Sequence, residues 1–257
     1  MERNGDPLSN SVYSHEADVS YEDRVVAFID ILGWGQAVED SIRSPESRRR
    51  LLNVVWALGA LSKNDTEEDT PESPSLDAAT QFSDSVVISV PYSGHLDVMR
   101  LVRQITSYQH ATLMSGFPLR GGIAVGPLYH SGSLVFGPAL NEAYQLESKS
   151  ALYPRVIIAK SLEGQIETAK SLFPPHWPFV VKDEDGFYST DDLMTFALSD
   201  LSVSHFDQKI EGWLSAHRTD DRVFAKYSWL KQRWEATKAD SAWRAEKSRQ
   251  LRADFFR

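Results

Sequence analysis

Read as a succession of apolar and polar positions, the chain breaks into short apolar runs joined by amphipathic stretches. Arg24-Val25-Val26-Ala27-Phe28-Ile29-Asp30 is rich in β-branched side chains and ends in a carboxylate, a pattern that predicts a strand buried on both faces. Gly33 and Gly35, with Trp34 between them, bend the chain. A helical stretch follows that puts Leu51, Leu52, Val55, Leu58 and Leu61 on one face, with Pro45 interrupting it or opening its second half. Residues 62–78, dense in Asp, Glu, Ser, Thr and Pro, read as an exposed loop. Gln81-Phe82-Ser83-Asp84 then leads into Ser85-Val86-Val87-Ile88-Ser89-Val90, which predicts a hairpin turning at Ser83 and Asp84. Val98, Leu101, Val102, Ile105, Tyr108 and Thr112 mark an amphipathic helix. A third strand is expected over Leu119 to Val125, a returning strand over Pro127 to Val135 and a helix over Ala139 to Leu152. Another strand is expected at Val156-Ile157-Ile158-Ala159.

Beyond residue 187 the strand pattern stops. Trp213, Trp229, Trp234 and Trp243 sit in charged, helix-favouring sequence, and Val223, Tyr227, Leu230 and Trp234 form a helical stripe. The organisation read from this is a flexible N-terminal arm (1–23), a main domain (24–187) and a helical C-terminal appendage (188–257). Alternating strands and helices with one early hairpin favour an α+β fold over a doubly wound parallel sheet.

Composition narrows the chemistry. Of 257 residues, 42% are apolar and 7 are Trp, enough for a substantial core. The 27 Lys and Arg against 36 Asp and Glu, a formal charge of −9, argue against a protein that coats nucleic acid or an anionic membrane, while leaving room for one phosphate pocket. With 0 Cys, disulfides, thiolate nucleophiles and thiolate metal sites are excluded. No apolar run approaches a membrane span, and the polar start Met1-Glu2-Arg3-Asn4 is no signal peptide, so a cytoplasmic location is expected. The histidines show no metal spacing: His110 reads as structural or solvated, and His130 lies near the predicted strand return. Arg244, Lys247, Arg249 and Arg252 are interleaved with Glu246 and Asp254 and read as a solvated helix face.

Two carboxylates stand out. Asp30 closes an apolar strand and Asp84 sits at a predicted turn. A carboxylate at the end of a buried strand is costly unless paired or bound to a cation. Two of them on neighbouring strands could share hard divalent ions such as Mg²⁺ or Mn²⁺. Gly33 and Gly35 would let backbone N–H groups approach phosphate ahead of a helix N-terminus. The alternative for each Asp, a helix cap or turn former, stands open on spacing alone.

Motifs in four segments bear on that choice. Phe28-Ile29-Asp30-Ile31-Leu32-Gly33-Trp34 resembles the first metal motif of the class III nucleotidyl cyclases, and Phe82-Ser83-Asp84-Ser85 resembles their second. Arg120-Gly121-Gly122-Ile123-Ala124-Val125-Gly126-Pro127 looks like the strand before their dimer-facing loop. Gly137-Pro138-Ala139-Leu140-Asn141-Glu142-Ala143-Tyr144-Gln145-Leu146-Glu147 looks like their asparagine-bearing helix. The segments occur in order over roughly residues 24–160.

The resemblance implies a ferredoxin-like βαββαβ core in which Asp30, Asp84 and the Ile31 carbonyl hold two Mn²⁺ or Mg²⁺ ions. Phe28, Leu32, Gly33, Trp34 and Gly35 would meet the nucleotide, and Asn141 would orient the ribose. It also implies attack of the ribose 3′-oxygen on the α-phosphate with loss of pyrophosphate, at composite sites of a head-to-tail homodimer. The departures matter as much. The family's catalytic arginine corresponds to Gln145, so Arg155 or Arg120 is the candidate replacement. The purine-reading lysine and aspartate correspond to Thr80 and Leu134, with Gln81 a possible helper. These features most resemble the pyrimidine cyclases of bacterial antiphage defence, which make cyclic UMP or cyclic CMP for an effector that senses it. UTP is the expected substrate. CTP, a purine nucleotide, or binding without turnover remain alternatives.

Overall fold

The structure, a computed structural model, describes residues 20–62, 78–172, 179–197 and 200–255. The first strand, β1 (Glu22–Ile31), is followed by α1 (Trp34–Arg43) and α2 (Pro45–Ser62), then by the hairpin of β2 (Ala78–Phe82) and β3 (Ser85–Pro91). Next come α3 (His95–Met114), β4 (Leu119–Ser131), β5 (Leu134–Phe136), α4 (Pro138–Lys149), β6 (Val156–Ile158) and α5 (Glu163–Leu172). The chain closes with β7 (Val180–Lys182), β8 (Tyr188–Thr190), α6 (Leu193–Ala197), α7 (Asp200–Ala216) and α8 (Asp221–Phe255). The protein is α+β, built on one mixed sheet of order β2-β3-β1-β4-β6-β8-β7, with β5 paired to β4. The β4–β6 pair is parallel and the other pairings are antiparallel.

β1 lies inside the sheet because both of its faces are apolar. Val25, Ala27, Ile29 and Ile31 pack with Leu51 and Val54 of α2 and with Val98, Leu101, Val102 and Ile105 of α3. The alternate positions Val26 and Phe28 pack with Ala139 and Ala143 of α4 on the opposite face. Each large aliphatic side chain so buried contributes about 1.5–3 kcal/mol. By the same alternation Asp30 falls on the α4 face. α4 can lie close there because β4 carries Gly122, where a Cβ would come within 2.4 Å of the Ala143 carbonyl oxygen.

Pro45 opens α2, one of the two roles expected of it, and the Ser44 hydroxyl accepts from the Ser47 N–H at 3.2 Å as its cap. Several other expectations need adjustment. Val54, not the exposed Leu52, joins Leu51 in the core. The strand expected to end at Val125 continues as β4 to Ser131. It stays paired with β1 through Gly126 and Pro127 to Leu128, pairs with β5 from Tyr129, and turns at residues 132–133 into β5. The boundary expected at 187 falls inside the β7–β8 hairpin, so the sheet runs on to Thr190. β1 begins at Glu22, inside the expected arm; residues 1–19 of that arm and most of the loop expected at 62–78 lie outside the described residues.

The helices after the sheet pack onto it through a separate apolar cluster. Leu113 at the end of α3 meets Leu193, Phe206, Ile210, Leu230 and Trp234. Trp234 is 1% exposed, and its indole Nε1–H donates to Asp207 Oδ1 at 2.6 Å. The side chains of Trp243 and of the basic residues from Arg244 onward lie outside the described residues. Among the described residues no helix is long and apolar enough to cross a membrane.

Candidate functional site

β1 delivers Asp30 to the end of the sheet, where it pairs across with Ser85 of β3 and Arg120 of β4. Asp84 occupies the β2–β3 turn, which is tightened by the left-handed Ser83 (φ 56°). The two carboxylate-bearing segments are tied directly, since the Ile31 N–H donates to the Asp84 carbonyl at 2.9 Å. Burial raises the Asp30 pKa above its usual range, Arg120 opposes the rise, and the neighbouring Asp84 adds to it. The structure thus places the two carboxylates that the sequence singled out on adjoining segments, within electrostatic range of each other.

A third carboxylate joins them. Ala139, Ala143 and Glu147 recur every fourth residue on the buried face of α4, so the last turn of the helix carries Glu147 to the same end of the sheet. Arg120 bridges this group: its Nη2 lies 2.9 Å from Asp30 Oδ2 and 2.6 Å from Glu147 Oε1. The contact with Asp30 is a hydrogen bond. The contact with Glu147 is an ion pair whose geometry leaves Oε1 without a hydrogen bond. Burial raises the Glu147 pKa, Arg120 lowers it, and Asp30 and Asp84 raise it further. Lys226 of α8 completes the charge cluster: it lies within electrostatic range of Asp30, Glu147 and Arg120. Its own pKa is depressed by burial, then by Arg120 and Arg222.

These residues suit a hard divalent cation. Asp30 and Asp84 offer carboxylate oxygens, the donors such a cation takes, and the repulsion between them favours positive charge nearby. Among the described residues, no group of three or more His, Asp or Glu side chains is arranged to hold a metal by itself.

Beside Asp30 the chain turns through Leu32 and Gly33, whose φ of 81° favours glycine. The Leu32 N–H donates to the Pro118 carbonyl at 3.0 Å. α1 starts at Trp34 with no side chain capping its N-terminus, and a Cβ at Gly35 would stand in open space. Trp34 packs against the core and tilts over Phe117 at 6.4 Å. Phe28 sits edge-on to Tyr144 of α4 at 5.3 Å.

The remaining expected residues are placed elsewhere. Arg155, the expected replacement for the missing arginine, is committed to other partners: it pairs with Asp183 at 2.5 Å and with Asp185, and is 6% exposed. Burial would lower its pKa, but the bonds to Asp185 and Asp183 outweigh that and raise it. Asn141 and Gln145 stand on the exposed side of α4, opposite Ala143 and Glu147. Leu134 is 62% exposed on β5, and the Gln81 amide donates to the Ser83 carbonyl at 3.1 Å, bracing the turn.

Thr80 is buried in a polar relay that sequence reasoning missed. Its hydroxyl donates to the Gly132 carbonyl at 2.8 Å, so it accepts from His130 Nε2–H at 2.9 Å. His130 Nδ1 therefore accepts from the Ser89 hydroxyl at 2.8 Å, while Ser89 accepts from Arg24 Nε–H at 2.8 Å. Burial, then Arg24, lowers the His130 pKa to about 4, keeping the ring neutral. The Thr80 hydroxyl is thus largely occupied within the chain. The four residues come from β1, β2, β3 and β4, and no local pattern in the sequence joins them. Compared with known proteins, the chain matches no family model and no curated protein.

Proposed function

We propose that this chain is a pyrimidine nucleotide cyclase that converts UTP to 3′,5′-cyclic UMP and pyrophosphate. The reading is that of a cytoplasmic head-to-tail homodimer with composite sites, using two Mn²⁺ or Mg²⁺ ions per site. Its product would signal to a cyclic-nucleotide-sensing effector in antiphage defence. The observation that carries this reading is the meeting of Asp30 at the end of β1 with Asp84 in the β2–β3 turn. The succession β1-α1-α2-β2-β3-α3-β4, with strand order β2-β3-β1-β4, supports the ferredoxin-like, cyclase-like core that the resemblance implies.

In this reading Asp30 and Asp84, with the Ile31 carbonyl, hold the cations. When bound, these ions make the ribose 3′-hydroxyl more acidic and neutralise charge on the phosphates. Arg120, paired with Asp30 and Glu147 beside the site, is the guanidinium nearest the metal carboxylates and would offer its donors to phosphate oxygens. The open N-terminus of α1 beyond Gly33 offers backbone N–H groups to the same oxygens. The 3′-oxygen bonds to the α-phosphorus, the bond from that phosphorus to the bridging oxygen breaks, and pyrophosphate leaves. The hydroxyl proton passes to solvent. Asn141, exposed on α4, serves the ribose of the partner's site, and Leu134, exposed on β5, faces the partner's nucleotide. Thr80 and Leu134 in the purine-reading positions favour a pyrimidine.

Incubation of the purified protein with each of the four nucleoside triphosphates and Mn²⁺, with separation of products, tests this. Cyclic UMP is expected, lost in Asp30→Ala and Asp84→Ala. Cyclic CMP or a cyclic purine nucleotide would move the assignment to that base. A second reading, a nucleotide-binding module without turnover, rests on the uncharged Gln145 and the committed Arg155. It predicts heat of UTP binding and no cyclic product.

A further inference from the structure

Arg222, Lys226, Trp229 and Arg233 recur at intervals of four, three and four residues along α8, so they share one helix face. The later half of that face is anchored. Trp229 stacks on Tyr153 at 5.3 Å, and Arg233 binds Asp183 at 2.6 Å and Ser189 at 2.9 Å. The Arg155 guanidinium also lies over the Trp229 ring, and the Arg155 carbonyl accepts from the Gly121 N–H at 3.1 Å. That chain of contacts fixes α8 beside the strand position next to Arg120. Lys226, one turn before Trp229, comes within electrostatic range of Asp30, Glu147 and Arg120. Arg222 stands one turn further on. Neither side chain makes a hydrogen bond or ion pair among the described residues.

A polyphosphate needs cations where its charge accumulates, and the expected arginine is Gln145 while Arg155 is held by Asp183 and Asp185. Lys226 is a compact ammonium on a flexible stem, suited to phosphate oxygens as a point charge. We propose that Lys226, backed by Arg222, binds the polyphosphate end of the nucleotide in the same chain that carries Asp30 and Asp84. The C-terminal helix is then part of the site rather than a separate appendage. This rests on the reading of Asp30 and Asp84 as a metal–nucleotide site.

Calorimetry on the full chain, titrating first Mn²⁺ alone and then inorganic tripolyphosphate in the presence of Mn²⁺, tests it. Lys226→Met should weaken tripolyphosphate binding about tenfold at low salt and flatten its salt dependence. It should leave Mn²⁺ binding intact or tighter, because a positive charge beside Asp30 is gone. Lys226→Arg, which keeps the charge, should recover most of the affinity, and a merely structural role would not follow charge in this way. Tripolyphosphate affinity unchanged in Lys226→Met, with Mn²⁺ binding still lost in Asp30→Ala, overturns the assignment of Lys226 and leaves the metal site standing. Absence of Asp30-dependent Mn²⁺ binding in the unsubstituted protein overturns both.

Discussion

Arg120 Nη2 lies 2.9 Å from Asp30 Oδ2, opposing the rise that burial and the charge of Asp84 give the Asp30 pKa. The guanidinium supplies the positive charge that offsets the carboxylates of Asp30 and Glu147. With Asp30 and Glu147 both raised by burial, their ionisation opposes folding. Their contribution to stability is full below the unfolded carboxylate pKa and is lost as pH rises through the higher folded values. Arg120→Met should deepen this loss, costing about 2 kcal/mol at pH 8, a figure discounted from buried pairs because the arginine is partly exposed. Added Mn²⁺ should recover most of that deficit at pH 8 and little at pH 5. Urea unfolding with and without Mn²⁺ at the two pH values checks this. A deficit that Mn²⁺ leaves untouched would show that Arg120 does not stand where a cation binds.

The close approach of β4 and α4 gives a packing test. A Cβ at Gly122 would meet the Ala143 carbonyl oxygen at 2.4 Å and the Leu146 Cβ at 2.6 Å. The first of these is helix backbone, so α4 itself must move, carrying Glu147 away from Arg120. Gly122→Ala should cost about 1–3 kcal/mol, read as a lower denaturant midpoint with an unchanged slope. A variant as stable as the original would mean that α4 does not rest on this glycine.

The strands were readable where both faces are apolar, as in Val25 to Ile29, and the α3 stripe from Val98 to Thr112 was readable because one face repeats faithfully. The candidate site was half legible: Asp30 closes an apolar run, and Asp84 sits at a predicted turn within a recognisable motif. Glu147 and Lys226 interrupt nothing. Each is a charged residue in a helix of charged residues, and only the packing of α4 and α8 brings it to the sheet end. Arg155 misled because an arginine before a strand looks available, whereas Asp183 and Asp185, some 30 residues on, occupy it. The β4 strand runs past Pro127 because β1 pairs with it as far as Leu128 and β5 takes over from Tyr129, long-range pairings that no local pattern announces.

The relay through His130 makes acid sensitivity specific. The ring is neutral in the fold, with its pKa lowered from 6.5 to about 4, and both nitrogens are committed. A depressed folded value contributes stability that is present above the unfolded pKa and lost as pH falls through the folded one. The window here is thus about pH 6.5 down to 4. The shift corresponds to something on the order of 3 kcal/mol. His130→Gln should be less stable than the original protein at pH 7, and the two should converge near pH 4. Parallel pH profiles would rule out His130 as the titrating group.

Asp192 gives the opposite sign. It is fully buried, its Oδ2 has no hydrogen-bond partner, and burial followed by the charge of Asp191 pushes its pKa up to about 7. Its contribution is complete below the unfolded value near 3.8 and disappears as pH rises through about 7. Asp192→Asn removes that dependence. The ionisation is worth roughly 4 kcal/mol at its full extent, and the amide's added buried donor costs about 1–3 kcal/mol. The variant should therefore be more stable than the original by about 1–3 kcal/mol at pH 8, and equal to it or weaker at pH 4. Denaturant midpoints at the two pH values decide this, and a variant that is weaker by the same amount at both would show that Asp192 is ionised in the fold and paired.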